Sequence, residues 1–173
     1  SPPGPRRGAA SAHRDGDGRL DAIGTHLGSV DGLRIYPGNG DRTFAAPVIF
    51  ASIGDEPHDA VLLDWDKDGD KDIAVTLAGP DAIALFRNES TSGNIAFNKL
   101  SNIAVGDEPL RACVADFNGD TWPDLAVANR GTNGTTGYSV SILLNDQGGS
   151  FTESKIGLTL TPKIRPWGIT TGD

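Results

Sequence analysis

The sequence predicts an all-β chain, a partial β-propeller of about three four-stranded antiparallel blades, and three observations predict it. A nine-residue acidic loop recurs at 13–21, 64–72 and 116–124 and opens again at Asp173, so that loop starts at 13, 64, 116 and 173 are spaced by 51, 52 and 57 residues. Each repeat holds four short apolar segments with period-two alternation, bounded by Gly, Asn and Asp, which is a strand signal. No window shows a convincing helical period. Four strands at a period near 50 suit a propeller blade, which cannot bury both of its faces alone and must stack on neighbours.

The elements follow in order. Residues 1–12 begin SPPGPRRGAA, the composition of a partly disordered lead-in. Residues 13–173 form the partial propeller, with units at about 6–56, 57–108 and 109–165 and the start of a fourth at 166–173. Pro57, Pro109 and Pro166 each stand seven residues before a loop start, and GDEP at 54–57 and 106–109 leads into the runs AVLLD and ACVAD. The small residues of those runs suit an innermost strand, where blades converge and space is short. After each loop comes a second strand, DAIGTH, DIAVTL or DLAVAN, and then a third, LRIYPG, IALFRN or VSILLN. A turn then leads to the fourth, opened by Phe44, Phe97 or Phe151. In the third unit GTNGTTG, Gly131 to Gly137, lengthens the hairpin between the second and third strands. Closed rings usually take four to eight blades, so the array is expected to be an excerpt that lacks further blades of its ring.

Composition narrows the function classes. The net charge of −8 argues against a nucleic-acid groove or an anionic membrane surface as partner, and no apolar run is long enough for a membrane span. The single Cys113 excludes an intrachain disulfide framework; within LRACVADF it reads as a small buried hydrophobe. Acid is concentrated: the three loops hold three, five and three carboxylates, or 11 of the chain's 23.

Such loops are either solvated acidic turns or cages that close around a cation, because like charges beside a buried strand repel unless something positive sits among them. Calcium takes six to eight hard oxygens, and a loop with side-chain oxygens at positions 1, 3 and 5, a backbone carbonyl at 7 and a glycine for the sharp turn can wrap it. The second loop fits, with Asp64, Asp66 and Asp68 at 1, 3 and 5, Gly69 at 6, the Asp70 carbonyl at 7 and Asp72 at 9. The third supplies Asp116, Asn118, Asp120, the Trp122 carbonyl and Asp124, but Thr121 replaces the glycine and must accept an unfavourable backbone angle. The first has His13 in place of the leading aspartate and keeps Asp15, Asp17, the Arg19 carbonyl and Asp21. Imidazole suits zinc or copper better than calcium, so the loops rank second, third, first. None is an EF-hand, since position 12 is Val75, Val127 or Gly24 and the flanks read as strands.

With its Dx(D/N)xDG loops in register, the chain resembles the FG-GAP and VCBS-type repeats of integrin α-subunit propellers and many secreted proteins. The resemblance covers about residue 6 to 173. It implies that each loop joins the first two strands of a blade and binds calcium, through Asp64, Asp66, Asp68 and Asp72 and through Asp116, Asn118, Asp120 and Asp124. It further implies an extracellular or secreted setting, cell surface included, and a protein or glycan ligand. The other function class is a propeller, catalytic or accessory, of a secreted carbohydrate-active enzyme.

Little else carries chemistry. His13, His26 and His58 fall at unrelated points of the repeat, and neither GxSxG nor HExxH occurs. Trp65 and Trp122, at loop positions 2 and 7, are expected to be part exposed, and Trp167 to pack between blades. The sequons at Asn88 and Asn133 matter only in a eukaryotic secretory pathway.

Overall fold

The computed structural model describes residues 9–12, 18–27, 32–131, 138–157 and 166–172. Alternating segments separated by glycine- and aspartate-rich turns pair with their sequence neighbours, giving three separate antiparallel sheets. The first contains β1 (Ala9–Ala12), β2 (Asp21–His26), β3 (Gly32–Tyr36) and β4 (Val48–Ala51) in that order. The second contains β5 (Pro57–Leu63), β6 (Asp72–Leu77), β7 (Ala82–Asn88) and β8 (Phe97–Lys99), with β9 (Ile103–Ala104) also paired to β7. The third contains β10 (Pro109–Ala115), β11 (Asp124–Asn129), β12 (Ser139–Asn145) and β13 (Phe151–Gly157). Each acidic loop therefore joins the first and second strands of its sheet.

Three details depart from the sequence reading. The last four residues of the lead-in form β1 and pair with β2, from Ala9 opposite Gly24 to Ala12 opposite Asp21. In the first sheet the fourth strand starts after Pro47, which has no N–H to give to a ladder; Phe44 makes only an isolated bridge with Gly38 and is exposed. Phe50, half-buried, packs against the core instead, edge-on to Phe86 and Phe97 at centroid distances of 6.4 and 5.8 Å. In the second sheet the fourth strand is broken into β8 and β9, with the Leu100 N–H donating to Leu85 O between them. Residues 1–8, the Gly131–Gly137 insertion apart from Gly131, and Asp173 lie outside the described residues.

The core lies between sheets. Ile23, Leu33 and Ile35 meet Ile73, Val75, Leu77 and Phe86 across one gap, and Leu63, Trp65, Ala74, Ile83 and Leu85 meet Leu125, Val127 and Leu143 across the other. Covered on both faces, β6 is buried at every position, whereas β2 alternates buried with half-buried. The first strands lie together: β5 packs on β1 and β2 on one side and on β10 on the other. Ala60 and Ala112 are buried in this region, while Cys113 is only half-buried, and burial pushes its thiol pKa up. Equivalent threonines tie sheet to sheet, Thr25 Oγ1 donating to His58 O at 3.0 Å and Thr76 Oγ1 to Leu110 O at 3.4 Å. Asp59 adds an ion pair to Arg111 at 3.1 Å and accepts the Ala112 N–H at 3.2 Å.

Candidate metal centre

The loop between β5 and β6 (loop 2) is shaped by its own aspartates. Asp66 Oδ1 accepts the Asp68 N–H and Asp68 Oδ1 accepts the Asp70 N–H, two Asx turns in succession, while Asp64 Oδ2 accepts the Gly69 N–H at 3.2 Å. Two residues take positive φ, Lys67 at 56° and Gly69 at 100°. The turns bring oxygens of Asp64, Asp66 and Asp72 within 4.8 Å of one another. Asp68 and Asp70 stay exposed on the rim.

Asp72, at the start of β6, is fully buried and anchored from two sides: its Oδ2 accepts the Trp65 N–H at 3.3 Å and its Oδ1 the Asn88 N–H at 2.8 Å. Burial pushes its pKa up to about 6, against the pull of those two hydrogen bonds, and the charges of Asp66 and Asp68 push the same way. Asp64 Oδ1 is buried with no partner. A buried acceptor without a donor is costly and rare. The donor set is hard oxygen throughout, the chemistry of a calcium ligand set.

The loop between β10 and β11 (loop 3) has the same backbone and a different use of its carboxylates. Gly119 and Thr121 take positive φ, 78° and 74°, so Thr121 does carry the left-handed angle expected of it. Asp116 turns into its own loop, accepting the N–H groups of Gly119, Asp120 and Thr121. Asn118 and Asp120 bond each other, and Asp120 Oδ1 accepts the Trp122 N–H at 2.9 Å. That hydrogen bond, then those from Asn118 and Gln147 and the charge of Lys67, hold the Asp120 pKa below the usual carboxylate range. Asp124 is buried and accepts the Phe117 and Asn145 N–H groups, as Asp72 does with its counterparts. Among the described residues, the three-carboxylate convergence is that of Asp64, Asp66 and Asp72; Asp116, Asp120 and Asp124 do not draw together in that way.

Of the first loop, Asp15 and Asp17, together with His13, lie outside the described residues. Arg19 is exposed, and Asp21 is buried with its Oδ1 accepting the Gly38 N–H at 2.9 Å. In all three repeats position 9 thus accepts an N–H from the end of the third strand or just past it, and in the second and third it also holds the loop.

The aromatic residues correct the reading of the loops. Trp65 is 0% exposed, locked into the second core with its carbonyl accepting from Asn145 Nδ2 at 2.8 Å. It is not part exposed as its loop position predicts, because the hairpin of the neighbouring sheet covers it. Trp122 is half-buried, with Lys67 Nζ 4.4 Å from its ring centroid. Trp167 is 58% exposed, not packed between sheets, with the Arg130 guanidinium 5.6 Å from its ring. Sequence reasoning passed over Asn88 and Asn145, whose backbone N–H groups hold Asp72 and Asp124; an asparagine ending IALFRN and VSILLN was the available signal. Asn88 is buried and gives its Nδ2 to Lys71 O at 3.1 Å, so its sequon amide is already engaged. Asn133 lies outside the described residues.

A family model described as FG-GAP-like repeat matches the chain at residues 14–75, 64–127 and 116–173, the first two matches each running from one acidic loop through the next. No curated protein matches the chain.

Proposed function

The chain belongs to the FG-GAP-like repeat family, and from that premise we propose that it is a calcium-binding β-propeller module that works outside the cell and holds a protein or glycan ligand. One observation carries the calcium reading. Asp64, Asp66 and Asp72 present oxygens within 4.8 Å of one another, and Asp64 Oδ1 is buried without a donor. Asp68 and the Asp70 carbonyl complete the donor set from the rim. Bound calcium supplies the positive charge that three close carboxylates lack. The propeller reading is supported by sheets of strands in chain order, with the first strands packed side by side and small residues between them. The extracellular setting and the ligand class follow from the family resemblance, since fold alone does not choose a ligand.

Thermal unfolding tests the reading. Calcium in the millimolar range should raise the Tm above that in EDTA, because an ion that binds only the folded state stabilises by mass action. Magnesium should do less, since it gives up its waters reluctantly and demands a tighter octahedron. Identical curves in calcium and EDTA would sink the calcium reading. For the ligand, binding on a glycan or extracellular-protein array without turnover supports the module, and depolymerisation of a polysaccharide by the chain contradicts it.

A further inference from the structure

We propose that Arg87 is a built-in counter-charge that holds down the calcium affinity of loop 2, an inference that rests on the calcium reading above. Arg87 is the penultimate residue of β7, immediately before Asn88, whose backbone N–H is fixed on Asp72. Its guanidinium is thereby carried to the cage, with Nε 3.3 Å from Asp66 Oδ2. Nε is buried yet makes no hydrogen bond, so the contact is a charge lodged beside the carboxylate and not an aimed N–H···O bond. Asp66 is the more sheltered partner, 21% exposed against 40% for Arg87, so water and salt screen the pair in part. The neighbouring hairpin runs close by: a Cβ at Gly149 would stand 3.5 Å from the Trp65 indole and 4.0 Å from Arg87 Nη2.

The repeat supplies a control within the molecule. Asn145 occupies in the third sheet the place of Asn88, each donating its N–H to the position-9 aspartate. The residue before it is Leu144, so the third sheet brings no arginine to its loop at this point. Loop 2, with five carboxylates, has a guanidinium against it; loop 3, with three, has leucine there. A fixed positive charge beside Asp66 both relieves the repulsion of the empty cage and repels a divalent cation within it. Both effects weaken binding.

Calorimetric titration with calcium alone, on chelator-stripped protein, tests this. Arg87→Leu and Arg87→Gln should each bind calcium at loop 2 about tenfold more tightly than the wild type at low salt, with the gap narrowing as salt screens the charge. Arg87→Lys, which keeps the charge, should stay near the wild type. In an Asp66→Asn background, which removes the carboxylate Arg87 lies against, the gain from Arg87→Gln should shrink. Unchanged or weaker binding in both neutral variants would overturn the inference, weaker binding making Arg87 a residue that positions Asp66. If wild type and variants all bind no calcium, the calcium reading itself fails and the inference falls with it, an outcome distinct from equal binding by all.

Discussion

Two backbone positions in each of loops 2 and 3 turn left-handed, and the two loops relieve that requirement at opposite places. Loop 2 has Lys67 at position 4 and glycine at position 6; loop 3 has glycine at position 4 and Thr121 at position 6. The strain comes from the turn, not from crowding, since nothing stands within 4 Å of a Cβ placed on Gly69. Gly69→Ala should therefore lower stability by about 1 kcal/mol through the backbone alone, read from urea unfolding in EDTA. No loss would show that the loop relaxes without penalty. Asp72 makes a second residue-scale prediction. Its folded pKa is raised to about 6, so between the ordinary carboxylate range and about pH 6 the folded chain keeps a proton that the unfolded chain releases. The ion-free protein thus loses stability from this group as pH rises through that window, and the loss is complete above it. A metal ligand must be deprotonated, so the stabilisation by calcium should be larger at about pH 7 than at about pH 5. A calcium-induced Tm shift that is flat across that range would remove Asp72 from the ligand set.

At the scale of the element, the β12–β13 hairpin acts on two loops together. Asn145 gives its backbone N–H to Asp124, and its Nδ2 to Pro123 O in its own sheet and to Trp65 O in the next. Asn145→Ala should cost about 2 kcal/mol, since it leaves buried carbonyls without a donor; a loss below about 0.5 kcal/mol by urea titration would show that water replaces the amide. This clamp marks the limit of what the sequence reveals. Strands were legible because their alternation repeats in register with the acidic loops, and the Asp64, Asp66 and Asp72 convergence because position 9 falls where the next strand begins. Trp65 was not: its loop position says exposed, and only the neighbouring sheet's hairpin, some 80 residues later in the chain, buries it. Phe44 and Phe50 exchanged roles for a similar reason, as Pro47 delays pairing past the first phenylalanine. Arg87 carried no signal of its own in the sequence, because its proximity to Asp66 depends on the β6–β7 register.

At the scale of the whole molecule, stability is a matter of neighbours. In stacked repeats each unit adds its own term and one for each interface, so a sheet with two covered faces is held more firmly than one with a single covered face. The second sheet contributes to both cores, and β6 is buried along its whole length. The fourth strands β4 and β8 are short and partly exposed. Hydrogen exchange should follow that order, with β6 amides slowest, β2 and β3 intermediate and β4 and β8 fastest. Calcium should slow exchange first across 64–77. The effect should then reach loop 3, because Lys67 leaves loop 2 to donate to Thr121 Oγ1 at 3.0 Å and to cover Trp122. In Lys67→Ala the slowing at 64–77 should persist while any slowing at 116–124 disappears. The cleanest form uses Asp116→Ala, with and without Lys67→Ala. If protection at 116–124 is the same in the two, the loops act independently, and the Lys67 contact carries no coupling between the sheets.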